Sequence, residues 1–146
     1  MSVDIASTLG NSVLPNTYVD IYMKAPEANG SIMFGKLLKN VKILVVHDDS
    51  GQNVFAGTDN IGRPSKIGFA VSQDMYILLH KIEYLNDVEL IIAPRGLTVP
   101  EDNVVVVTSA TLRDYVDTRT TTINEDVITK ETKKETSDTE NKQPVQ

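Results

Sequence analysis

Residues 65–96, SKIGFAVSQDMYILLHKIEYLNDVELIIAPRG, decide the fold class. Ile67 to Val71 is an apolar run of strand length. Ser72 follows with a hydroxyl suited to an N-cap, and Asp74 puts a negative charge in the first turn, where the helix dipole favours it. Met75, Leu78, Leu79, Ile82 and Leu85 recur at helical spacing and form one apolar stripe. The spacing predicts a helix over 73–85, with Leu78 and Ile82 in the core. Asn86 fits the left-handed position that closes a helix, and Val88 to Ala93 is a second strand ended by Pro94. The unit reads strand, helix, strand, and it holds almost nothing that performs chemistry.

Elsewhere the runs are strand-sized. Strands are expected over 18–23, 42–46, 67–71, 89–93 and 104–107, and Thr111 to Tyr115 suit the start of a short helix. Pro26 to Ser31 contains Asn29-Gly30, a hairpin signal. Asp48 to Gly51 turns the chain after its strongest strand, and residues 52–64 form a polar loop broken by Gly57, Gly62 and Pro64. The expectation is an α+β fold: a small β-rich domain over 1–117, barrel- or sandwich-like, with one substantial helix. From Thr118 the sequence is rich in Thr and mixed charge, and is expected to be a disordered tail over 118–146.

Composition narrows the function classes. Of the 146 residues, 40% are hydrophobic but only 5% aromatic, so Ile, Leu and Val carry the core. The net charge of -6 argues against nucleic acid and anionic membrane surfaces, which demand clustered Lys and Arg. With no Cys there are no disulfides, thiolate chemistry or cysteine zinc sites. No run approaches the roughly 20 apolar residues of a transmembrane helix, and no targeting segment is visible. The chain as given reads as soluble.

The upstream segments carry a family resemblance. Leu14-Pro15-Asn16-Thr17-Tyr18-Val19-Asp20-Ile21 is a counterpart of a Pro-Gly-Asp-x-Val-Asp-Val turn and strand, with Asn16 and Thr17 in place of Gly and Asp. Leu38-Lys39-Asn40-Val41-Lys42-Ile43-Leu44 matches Leu-x-Asn-Val-x-Val-Leu, and Met1 to Ile5 resembles the strand that leads into the same domain. Over residues 1–96 the chain resembles the C-terminal, RcpC-type domain of the CpaB/RcpC family of Flp (Tad) pilus assembly proteins. The resemblance implies an extracytoplasmic, envelope-associated structural protein. It implies partners among pilus or secretion subunits, or a homo-oligomer. Members of that family carry an N-terminal membrane anchor and a small SAF domain. This chain then reads as a fragment or a short relative, the fragment being preferred, and membrane contact would come only through such an anchor.

Candidate chemistry is sparse. His47-Asp48-Asp49 suggests a metal phosphohydrolase pair, but it ends a strand and the only other histidine is His80 on the helix. A strand end passing into an acidic turn is the better account. Asp48 to Asn53 lacks the ligand alternation and closing Glu of a calcium loop. Ser and Thr have no nucleophile elbow, and Asn60 to Ser65 is no phosphate loop. Asp20 shares a strand face with Tyr18 and Tyr22, read first as a solvated outer face and second as a contact row on an edge strand. Arg95 is placed to cap carbonyls or meet a carboxylate.

No catalytic, cofactor or metal residues are assigned, and no cofactor is expected. The candidate interaction residues are Tyr18, Asp20, Tyr22, Arg63 and Arg95. Assembly through protein contacts is the leading function. A small carbohydrate- or peptide-binding module is the alternative, though five Tyr, three Phe and no Trp count against an aromatic groove. An enzyme is the least favoured reading.

Overall fold

A computed structural model describes residues 1–2, 13–57, 62–95 and 104–123. In chain order these form β1 (Tyr18–Pro26), β2 (Ile32–His47), β3 (Lys66–Phe69), α1 (Gln73–Glu83), β4 (Glu89–Pro94), β5 (Val106–Val107) and α2 (Ala110–Asp117). The sheet is antiparallel in the order β3-β2-β1-β4, with β5 joined to β2. It curls into a half-barrel, and the domain is a β-rich α+β fold with two helices.

The curl has its cause in β2. That strand of 16 residues carries register shifts against β1 between Val19/Ile21 and Ile21/Tyr22, and one against β3 between Ile43 and Val45. Each inserts an extra residue on β2, and such bulges bend a strand and increase its twist. One falls at Asn40, whose φ of 63° is the left-handed conformation that Asn tolerates better than most residues. The expected strand over 42–46 is therefore only the last part of a longer one. Bulges interrupt the alternation by which the rest would be recognised.

Along β1, Val19, Ile21, Met23 and Ala25 are buried in the core, alternating with Asp20, Tyr22, Lys24 and Pro26 on the outer face. The inner face meets Leu78 and Ile82 of α1 and Leu112 and Val116 of α2 in the same core cluster. Gly35 makes room for α2: a Cβ there would stand 3.2 Å from Leu112 Cδ1. The β1–β2 hairpin turns at Gly30, with φ 85°, as Asn29-Gly30 leads one to expect.

Ser72 caps α1 by accepting from the Met75 N–H at 3.4 Å. The closing end differs from expectation. The helix stops at Glu83 with Tyr84 right-handed, and Leu85 N–H reaches the Ile82 carbonyl at 2.9 Å. Asn86 is not among the described non-glycine residues with positive φ. Ser109 caps α2, a full two turns where the sequence suggested only a short start. Its other end is held by Thr118 and Thr120, whose hydroxyls donate to the Tyr115 and Val116 carbonyls at 3.2 and 2.8 Å. The described structure continues to Ile123, six residues beyond α2. Residues 3–5 of the leading strand, part of the 52–64 loop and the tail over 124–146 lie outside the described residues.

Although β3, α1 and β4 follow one another, β3 and β4 lie at opposite ends of the strand order and run antiparallel. Helix α1 connects them and places Leu78 and Ile82 in the core. No helix among the described residues is long and apolar enough to cross a membrane.

Candidate functional site

The outer face of the sheet gathers most of the singled-out residues. Asp20 is buried, at 5% exposure, and this corrects both sequence readings of it. It is not solvated, and β1 is not an edge strand, because β2 and β4 flank it. The carboxylate accepts the Asn40 backbone N–H at 3.2 Å and pairs with Lys36 Nζ at 2.6 Å. Arg95 Nη1 lies 3.8 Å away and donates to Asn40 Oδ1. Asn40 Nδ2 in turn donates to the Val104 carbonyl at 3.3 Å. One buried anion thus ties together β1, the β2 bulge and the end of β4. Its hydrogen bond, with the charge behind it, holds the Lys36 ammonium above its ordinary pKa.

Beside this cluster runs an apolar stripe. Tyr22 and Phe34 stack with centroids 5.5 Å apart and planes at 12°, and Lys36 Nζ sits 5.5 Å from the Tyr22 ring. Ile91 lies opposite Tyr22 on β4. Phe34 and Ile32 are 59% and 65% exposed. Lys24 and Glu89 border it with an ion pair at 3.1 Å.

The five candidate residues therefore separate. Asp20 and Arg95 come together, Tyr22 adjoins them on the stripe, and Tyr18 is buried and unsuited to a contact surface. Arg63 is exposed in the segment before β3 and makes no ion pair with the cluster among the described residues. Sequence reasoning missed Asn40, Lys36 and Phe34. The left-handed Asn left a signal in the Leu-x-Asn-Val motif, whereas the cross-strand partners of Tyr22 depend on a bulged register.

A second feature is the opening between β3 and β4. Met1 begins to line it, exchanging backbone hydrogen bonds with Ile67, and the cavity of about 220 Å³ is walled by Ile67, Phe69, Leu79 and Leu90. His80 stands at its rim, 2.8 Å from Glu83 and edge-on to Tyr76 at 4.3 Å.

Around His47 the chain does what a strand end does. Asp48 Oδ1 accepts the N–H groups of Ser50 and Gln52, each at 2.9 Å, and the Ser50 hydroxyl at 2.6 Å. These bonds, led by the Ser50 hydroxyl, hold its carboxyl below the ordinary value. Asp48 is the anchor of a turn. Among the described residues no group of three or more His, Cys, Asp and Glu is placed to hold a metal ion.

No family model, curated protein or solved structure matches this chain.

Proposed function

We propose that this protein is a non-catalytic assembly component of a Flp (Tad)-type pilus or a related secretion apparatus. It works outside the cytoplasm, at the cell envelope, as a barrel-like RcpC-type domain that contacts other subunits or itself. The observation that carries the contact-based reading is the outer-face stripe in which exposed Ile32 and Phe34 adjoin half-buried Tyr22 and Ile91. Apolar area of this kind on a small domain marks an interaction surface.

The pilus assignment rests on the motif resemblance, and the backbone gives those motifs a physical sense. Thr17 N–H donates to the Leu14 carbonyl at 3.1 Å, closing a turn with Pro15 second and Asn16 third at φ 65°. That is the pattern of a type II turn, whose third position takes Gly or Asn. Asn16 thus replaces the family's Gly without changing the demand on the backbone. A sugar-binding reading is weaker, because Tyr22 and Phe34 each turn a ring face to the other.

The test is made in a host carrying the intact pilus locus. Phe34→Lys with Ile32→Lys should abolish surface assembly in a protein that still folds, whereas Asn at both His47 and Asp48 should leave it intact. Assembly that survives the first pair and fails with the second would overturn the proposal in favour of a metal site.

A further inference from the structure

The edge of β4 has the marks of a strand that expects a neighbour. Among the described residues it pairs with β1 alone. Arg95 N–H donates to the Tyr18 carbonyl at 3.0 Å. By the alternation of an antiparallel ladder, odd-numbered residues of β4 turn their backbone groups toward β1. The N–H groups of Leu90 and Ile92, and the carbonyls of Leu90, Ile92 and Pro94, therefore turn away from the sheet. Exposed edges are ordinarily blunted by charges, Pro, bulges or shortness. In β4 the charge and the Pro stand only at the two ends, Glu89 and Pro94, and the register against β1 is unbroken.

We propose that two copies of this chain join through these edges, β4 against β4, antiparallel and centred on Ile92. In that register Ile92 exchanges both backbone bonds with Ile92 of the second copy. Leu90 N–H reaches the second copy's Pro94 carbonyl, so the missing Pro N–H costs little. Glu89 of each copy then stands opposite Arg95 of the other. Both side chains lie on the outer face and reach solvent, at 61% and 36% exposure. Opposite charges facing across strands stabilise a pair. Sliding the register by two residues either way keeps the faces matched but sets Glu89 against an apolar residue, so charge selects this one. The pairing also carries the Ile91–Tyr22–Phe34 stripe across the junction as one surface. It deepens the assembly reading by naming a second copy as one partner.

Sedimentation equilibrium of the full chain, from micromolar to millimolar concentration, is the deciding experiment, together with hydrogen exchange at Leu90 and Ile92. A dimer is expected whose Leu90 and Ile92 amides become protected as concentration rises. Ile91→Lys places a charge mid-edge on the outer face and should weaken association by about tenfold or more. Glu89→Arg is exposed and spares the core, so it gives the same readout should Ile91→Lys fail to fold. A monomer at every concentration, a dimer indifferent to Glu89→Arg, or a dimer whose two amides exchange freely would each overturn the pairing. A monomer that still supports assembly in the host leaves the assembly reading standing and removes only this one.

Discussion

Asp20 and Lys36 face each other at 2.6 Å across β1 and β2, and they join on the outer face of the sheet rather than in its core. Asp20 is buried there because neighbouring polar side chains cover it: Lys36 and Arg95 approach its carboxylate and Asn40 gives it a backbone N–H. An anion in this position is stable only while those partners remain. The bulge at Asn40 and the end of β4 are thereby fixed relative to each other, which positions the apolar stripe beside them.

Replacing Asp20 by Ala should cost about 1–3 kcal/mol, since it strands the Asn40 N–H and leaves two cations without their anion. Asp20→Asn keeps an acceptor and should cost less. Chemical denaturation of both variants measures the difference. Changes below about 0.5 kcal/mol would show the cluster to be inert.

The two left-handed asparagines make a paired prediction. Asn16→Gly should be close to neutral, while Asn16→Val should lose about 1–2 kcal/mol because a β-branched side chain resists positive φ. Asn40→Gly should cost more than Asn16→Gly, since it also removes the bonds to Arg95 and the Val104 carbonyl. Thermal melts of the three proteins would rank them, and equal tolerance of Val and Gly at position 16 would exclude the type II turn.

In the core, Leu78→Ala should destabilise by about 2–5 kcal/mol, as Leu78 is buried in the cluster under the half-barrel. Domains of this size hold roughly 5–15 kcal/mol in all. Urea denaturation should therefore show a midpoint shifted far down, and an unchanged midpoint would remove α1 from the core.

Acid should release α2 from α1. Arg113 forks onto Asp74 with bonds of 2.8 and 2.7 Å, and Lys81 meets Asp117 at 2.6 Å. The Arg113 bonds hold the Asp74 carboxyl below its usual 3.8, and the Lys81 bond does the same for Asp117. A depressed folded pKa contributes stability above the unfolded value and loses it as pH falls through the folded one. Amide shifts of Ala110–Asp117 followed by NMR should hold steady down to about pH 4 and move below it. A transition centred well above pH 4 would show that these two carboxylates are not its source. These pairs are solvent-exposed, so salt should weaken the same contacts.

Local signals carried well into the fold where the cause was local. Ser72 caps α1, Asn29-Gly30 turns the hairpin, and Leu78 with Ile82 faces the core. Each depends on residues within a turn or two of one another, so spacing alone reveals it. The close of α1 went otherwise, because the turn bonds of Leu85 and Val88 served in place of a left-handed Asn86.

What the sequence by itself determined was the set of elements, their core faces and the lack of any recognisable catalytic motif, since propensity and periodicity act over short range. Tertiary structure alone decided that Asp20 is buried, that β1 is central, and that Phe34 reaches Tyr22. It also decided that β4, among the described residues, pairs with β1 alone. Those facts follow from strand order and from the bulges of β2, which bring together residues separated by 12 to 75 positions in the chain. A one-residue shift in register exchanges the two faces of a strand, and the pattern of a single strand does not record which partner will impose it.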